Sequence, residues 1–357
     1  MLILGIETSC DETAAAVVAD GRRVMSNAIA SQHDLHAQYA GVVPELASRA
    51  HVEKILPVVR LALEQAGVGL GMVDAIAVGN RPGLIGSLVV GVAAAKALAW
   101  SLGKPLVGVD HVQAHLYSGV LVEDDTPAGT ASTPFPALGL VVSGGHTSMY
   151  LLRAWADPQR LGATIDDAIG EAFDKAATIL GIPYPGGPNL DALARTPSAN
   201  DRAHEFPISR IAPGSLDFSF SGLKTSLLYR VRGVPQQGQP RRDATALTPQ
   251  ERIDLAASFQ RAAVRAITLK LERALARAEE LAGAPVRTLF VGGGVSANSR
   301  LRREIGEFAT AHRIEARIPR MDYCMDNAAM VAGLAHALLA VGRASDLTLA
   351  SEPTTAC

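Results

Sequence analysis

Cysteine is scarce in this sequence. Cys10, Cys324 and Cys357 stand far apart, with no CxxC between them, which excludes a disulfide framework and a Cys-rich zinc site and points to a reducing, cytoplasmic setting. Aromatic residues make up only 4% of the chain, so a core drawn from its 48% hydrophobic content must be built of Ala, Val, Leu and Ile. A surplus of positive charge is also missing. At a net charge of −2 the protein is not basic overall, so nucleic acid would have to be gripped by local patches. Candidates are Arg230, Arg232, Arg241 and Arg242; Arg300, Arg302 and Arg303; and Arg313, Arg317 and Arg320. The alternative for each is solvated surface. No membrane span is expected: GSLVVGVAAAKALAWSL carries Lys96 and reads as a buried helix. The opening MLILGI meets Glu7, Asp11 and Glu12 too soon for a signal peptide.

What is abundant is glycine, 33 residues, and proline, 20, a mix typical of the many tight turns of an α/β enzyme. The stretch LILGIETSCDETAAAVVAD predicts a β-hairpin with a polar turn from Thr8 to Thr13. The same grammar returns at LGLVVSGGHTSMYLLRA, 138–154, about 135 residues later, and suggests duplication of a whole lobe. Between the copies the pattern predicts a helix near 47–66, a strand AIAV, a helix ending near 102, a strand PLVGVD and a helix opening at His111. After the second copy come a helix near 166–180, a loop YPGGPN, a polar insertion, and a mobile loop over 233–249. A long helix starts after Thr248, where Pro249 and Glu251 complete an N-cap signature, and buries Leu255, Phe259, Ala262, Ala266 and Leu269. Two α/β lobes with a cleft between them is the simplest architecture.

Three glycine turns, SGGH, GNRPG and VGGGVSAN, follow strands, where exposed backbone N–H groups suit phosphate or ribose. Neither a Walker GxxxxGK[ST] nor a GxGxxG is present to specify a nucleotide. HVQAH puts His111 and His115 on one side of a helix, as a metal site would. A zinc peptidase of the HExxH type needs a glutamate where Val112 stands. A third ligand must come from afar, with Asp110, Asp322 and Asp326 as candidates; otherwise the pair simply hydrogen-bonds at a helix end. His33, His36 and His51 read as surface histidines. Asp11 and Glu12 are either acid–base groups or solvated turn residues, Cys10 a nucleophile or small packing, and Lys224 a phosphate contact or surface.

GIETSCDET, YAGVVPELASRAH, PGLIGSL, HVQAHLYS, VVSGGHTSMY, GEAFDKAATILG, YPGGPNLD, DFSFSGLKTS, GGGVSANSRLR and CMDNAAM, taken in this order, resemble the TsaD family, formerly Gcp, with Kae-type and YgjD relatives. The resemblance implies the duplicated two-lobe ASKHA fold with an interlobe cleft. Residues 1–133 would form the first lobe, completed by the helix 322–345, and residues 134–321 the second, with an insertion at about 200–249; 346–357 would be a tail. It implies transfer of a threonylcarbamoyl group from threonylcarbamoyl-AMP to N6 of adenosine 37 in tRNAs reading codons that begin with A. It further implies one divalent metal, Fe(2+) or Zn(2+), on His111, His115 and Asp326. An adenylate site would comprise Val141, Val142, Ser143, Gly144, Gly145, Asp174, Gly187, Asp191 and Asn298. The expected partners are TsaB-like and TsaE-like proteins, and Glu12 or Asp11 is the expected proton acceptor. An ASKHA-type small-molecule kinase or carbamoyltransferase is the alternative, with a metalloendopeptidase third. The chain departs from the family pattern where TxGPG is frequent, with Gly79 and Arg81 in GNRPG, and at Ala40.

Overall fold

A computed structural model describes residues 1–37, 39, 41–123, 135–209, 211–234 and 246–354. The loop expected over 233–249 falls largely outside these residues, as do Ala40, Arg241, Arg242 and Cys357. The chain forms two compact units. One comprises Met1–Pro134, Leu152–Pro158 and Arg317–Cys357; the other comprises Phe135–Leu151 and Gln159–Ala316.

The first unit opens with β1 (Leu2–Glu7) and β2 (Glu12–Ala19), the expected hairpin, followed by β3 (Arg23–Ser31) and the short α1 (His33–Ala37). Next come α2 (Pro44–Ala66), β4 (Ala75–Arg81), α3 (Ile85–Leu102), β5 (Leu106–Asp110) and α4 (His111–Tyr117). The second unit, apart from Leu152–Pro158, contains β6 (Ala137–Val142), β7 (Thr147–Ala154), β8 (Asp157–Ala163), α5 (Ile169–Leu180), α6 (Gly186–Ala194) and α7 (Ser221–Arg232). It continues through α8 (Pro249–Ala282), β9 (Thr288–Gly292), α9 (Ser299–His312) and β10 (Glu315–Arg317). The final helix α10 (Ala328–Ala340) returns to the first unit.

The duplication is visible in the topology. One sheet runs β3-β2-β1-β4-β5 and the other, read from its far edge, β8-β7-β6-β9-β10. These are the same order in local numbering. β1 pairs antiparallel with β2 and parallel with β4, and β6 pairs parallel with β9. The fold is thus α/β, built twice on one plan.

Side chains alternate across β1. Leu4 and Ile6 join Val58 and Val59 of α2 and Val92 and Ala95 of α3 in one core cluster. Gly5 points the other way, where a β-carbon would sit 2.4 Å from the Ala328 carbonyl oxygen, so glycine lets α10 lie close on the opposite face. In the second unit, Thr248 closes the expected capping box with Glu251. Leu255, Phe259, Ala262 and Ala266 are buried as expected, and Leu269 is half-buried.

Three sequence expectations change. YPGGPN is not a loop throughout: Gly186 to Asn189 form the first turn of α6. A proline is tolerated there because first-turn N–H groups have no helical acceptor. α3 is long and apolar enough by length and composition to cross a membrane, yet buries only the face of Ser87, Leu88, Gly91, Val92, Ala95 and Ala99. Val89 is exposed, and Trp100 is 75% exposed. β3 and β8 were not anticipated. β8 is a polar edge strand containing Pro158, and such a strand carries no apolar alternation.

Gly5→Ala is expected to destabilise the protein by about 3 kcal/mol, the scale of forced overpacking against backbone. Gly71→Ala, with nothing within 4 Å of the added carbon, is expected to stay within about 0.5 kcal/mol of the parent. Urea unfolding of both variants checks the contrast.

Candidate functional site

Asp110 ends β5 and caps α4: its Oδ1 accepts the N–H groups of Val112 at 3.0 Å and Gln113 at 3.2 Å. The helix therefore starts at His111, and a spacing of four turns both imidazoles to one side. Their ring centroids lie 4.6 Å apart. Asn327 caps α10 by accepting the Met330 N–H at 2.9 Å, which fixes Asp326 just before that helix. α10 packs on α4. Asp326 Oδ1 accordingly lies 3.1 Å from His115 Nε2 and 3.5 Å from His111 Nε2, and one ligand atom from each residue falls within 4.8 Å of the others.

These residues fit a divalent metal. Donors about 2.1 Å from one ion lie about 3.0–3.4 Å from each other, close to both separations. His115 is buried, and neither ring nitrogen has a hydrogen-bond partner; Asp326 meets Nε2 as an ion-pair contact at 3.1 Å. Such a group in a protein interior calls for a ligand.

Glu7, at the end of β1, is 0% exposed. Its Oε1 accepts the Ser9 N–H at 2.6 Å, and its Oε2 lies 3.1 Å from His111 Nδ1, which Ser9 Oγ also approaches at 3.1 Å. A carboxylate behind an imidazole holds a proton on Nδ1 and fixes the ring so that Nε2 faces Asp326. Burial works against charge on His111, but Asp326 and Glu7 outweigh it and raise the imidazole to about 10. Burial lowers His115 below its ordinary value in spite of Asp326.

The hairpin turn brings its own groups beside this triad. Burial, then Asp11 and Asp326, push the Cys10 thiol far up, so it is no thiolate nucleophile. Burial, then Asp326 and Asp11, push Glu12 up to about 9. His51, read as a surface residue, is fully buried. Its Nε2–H donates to the Cys10 carbonyl at 3.0 Å, and its Nδ1 accepts from the Thr13 hydroxyl at 2.8 Å. His36 is buried too, 3.1 Å from Gln32. The amphipathic face of α2 hides His51 against the hairpin, which sequence alone does not reveal.

Both departures in GNRPG reach the triad through one neighbour. A β-carbon on Gly79 would lie 2.6 Å from Glu7 Oε2. Arg81 lies 3.6 Å from Asp110 and donates to Glu352 at 3.2 Å, and Asn80 bonds the chain at Ala350 and Glu352. The C-terminal segment is thereby tied to the strand end that caps α4.

In the second unit, Val141 and Val142 are buried at the end of β6, and Gly144 and Gly145 lie exposed with nothing within 4 Å of their would-be β-carbons. The turn is closed by Ser143, whose N–H donates to the His146 carbonyl at 2.8 Å. Two further glycines press on it: a β-carbon on Gly170 would meet the Ser143 carbonyl at 2.6 Å, and one on Gly293 the Val142 carbonyl at 2.4 Å. Asp174 accepts the Gly187 N–H at 2.9 Å, and burial raises its carboxyl. Asp191 is engaged by protein donors, Gln260 at 2.5 Å and the Ser299 hydroxyl at 2.7 Å. Asn298 caps α9 through the Leu301 N–H at 3.0 Å. Lys224 pairs with Asp167 at 2.8 Å. Glu7, Ser9 and Gly170 escaped sequence reading; the one available signal was an acid closing the apolar strand LILGIE.

Residues 23–333 match the family model described as TsaD: tRNA N6-adenosine threonylcarbamoyltransferase. The chain belongs to the TsaD family. A relative of that name from Symbiobacterium thermophilum is 49% identical over 352 residues, covering 99% of this chain and 96% of its own. Another from Anaeromyxobacter sp. is 50% identical over 333 residues, 93% of this chain and 92% of its own. Among solved structures, T. kodakarensis HypF aligns with a TM-score of 0.58 at 17% identity, over 95% of this chain and 48% of its own. Component A of the Acidaminococcus fermentans (R)-2-hydroxyglutaryl-CoA dehydratase aligns at 0.50 and 12% identity, over 95% and 99%. These likenesses show the fold alone: ASKHA-type, as TsaD resemblance implied.

A divalent metal on His111 would have to displace the Nε2 proton, which, against burial, Asp326 and Glu7 favour. Affinity is therefore expected to rise with pH across the neutral range, with about one proton released per metal. Calorimetric titration in buffers of different ionisation enthalpy measures this. Glu7→Ala is expected to weaken metal binding by about 10–100-fold, as read by competition with a chromophoric chelator.

Proposed function

We infer that this chain transfers a threonylcarbamoyl group from threonylcarbamoyl-AMP to N6 of adenosine 37 in tRNAs reading codons that begin with A, releasing AMP. The observation that carries this reading is the 2-His-1-carboxylate set, His111, His115 and Asp326, in a chain that matches the TsaD family over residues 23–333. Val112, buried at the position where a zinc peptidase places its glutamate, argues against proteolysis.

His111, His115 and Asp326 would hold the metal, Fe(2+) by preference and Zn(2+) as the alternative. Bound there, a divalent ion would supply Lewis acidity, anchor the donor's oxygen ligands, and offset the negative charge of Asp326 that helps keep Glu12 protonated. Glu7 orients His111, and His51 steadies the hairpin turn by bonding to Cys10 and Thr13. Glu12 or Asp11 on that turn would take the proton from N6 as the amine attacks the activated carbonyl. The carbonyl–phosphate bond breaks and AMP leaves.

For the adenylate, the exposed amides of Gly144 and Gly145 offer donors to phosphate, next to Val141, Val142 and Ser143. Asn298 can donate through Nδ2, since its Oδ1 accepts within its own helix cap. Asp174 and Gly187 would meet the ribose or base, while Asp191 would act by fixing Ser299. TsaB-like and TsaE-like partners complete the system, placed in the cytoplasm. The exposed Val52 and Leu56 of α2 and Val89 and Trp100 of α3 give a protein partner apolar surface to cover.

Reconstitution with threonylcarbamoyl-AMP, unmodified tRNA and both partners, followed by mass analysis of nucleosides, is expected to yield N6-threonylcarbamoyladenosine without chelator and none with it. His111→Ala and Asp326→Ala are each expected to lower kcat/KM by at least about 100-fold. Unmodified adenosine from the metal-loaded parent would overturn the reading.

A further inference from the structure

The outer strand β8, the segment around Leu216 and the C-terminal half of α8 enclose an open groove of about 580 Å³ in the second unit. Leu161, Leu216 and Leu281 line it with apolar surface, and Arg160, Arg273 and Arg277 bring three exposed guanidinium groups. Arg273 and Arg277 are four apart on α8 and so share a face. The one acid among the lining residues, Glu280, pairs with Arg277 at 2.7 Å. Arg160 and Arg273 have no ion pair among the described residues.

The groove is built rather than incidental. Gly162 lets the Leu216 backbone approach so closely that a β-carbon would sit 2.5 Å from the Leu216 carbonyl oxygen. Asp217 accepts the Ala163 N–H at 3.1 Å, and the Phe218 N–H returns a bond to the Ala163 carbonyl at 2.9 Å. On the opposite side, the Lys270 ammonium donates to the Asp217 carbonyl. The polar insertion thus forms a wall pinned to β8 and to α8, and the guanidinium groups stand on fixed elements.

A chain with net charge −2 has no general attraction for a polyanion, so tRNA must be held where positive charge gathers without acids to cancel it. Arg160 and Arg273, on two elements and without an ion pair among the described residues, suit an extended phosphodiester better than a small enclosed anion, and each fork matches phosphate geometry. The leucines between them suit the less polar edges of ribose. We propose that this groove holds a stretch of the tRNA sugar–phosphate backbone, a contact that rests on the transferase reading and supplies affinity without sequence preference.

The test compares the parent with an Arg160→Ala/Arg273→Ala variant and its Arg160→Lys/Arg273→Lys counterpart, each metal-loaded and assayed with full-length tRNA. Alanine at both positions is expected to raise KM for tRNA on the order of tenfold, with the larger part of the effect in KM rather than kcat. It is also expected to flatten the dependence of log Kd on log salt by roughly 1.5, the share of two phosphates. Lysine is expected to restore most of that slope, which a role in packing alone would not. An unchanged KM and slope overturn the groove and leave the transferase standing. Unchanged tRNA binding with loss of a partner protein overturns it in favour of a protein interface. A parent that modifies no tRNA overturns the reading beneath it.

Discussion

The Glu7 carboxylate is sealed from solvent, and a buried charge persists only where its oxygens are met by donors. Ser9 satisfies one oxygen through its backbone and His111 faces the other through Nδ1. That requirement binds the end of β1, the hairpin turn and the start of α4 into one piece. It also explains why position 79 carries no side chain, since a β-carbon there would intrude on Oε2. Asp326 then has only to be delivered by α10, which Gly5 allows to lie close against the sheet. The grouping of His111, His115 and Asp326 is thus a by-product of how the first sheet is packed on one face.

The two units use the same strand order for different chemistry. In the first, side chains at the carboxyl ends of β1 and β5 turn inward as acids and imidazoles. In the second, the turn after β6 offers bare backbone at Gly144 and Gly145, kept in place by Gly170 at the start of α5 and Gly293 just after β9. Duplication supplied a frame, and loop residues set what each copy presents.

Much of the fold was legible because it rests on local patterning. The apolar run of β1, the capping signature of α8 and the histidine spacing at the start of α4 are all properties of short windows. Elements that failed to show had no window to show in. β8 carries no apolar alternation because it is an edge strand, and the first turn of α6 looked like a loop because prolines and a glycine pair fill it. α3 looked buried all round because its exposed face is apolar too. His51 read as surface because burial of one histidine depends on which face of α2 meets the hairpin.

The sequence by itself determined the duplicated hairpins, the helix that aligns His111 with His115, and, through ten ordered motifs, the family. These follow from periodicity, capping and residue order, which act over a few residues at a time. Only the tertiary structure decided that Asp326 stands 3.1 Å from His115, that Glu7 backs His111, and that Asp191 is engaged by Gln260 and Ser299. Those pairings join positions up to more than two hundred residues apart, and they are set by packing of whole helices and strands, which no stretch of sequence encodes on its own.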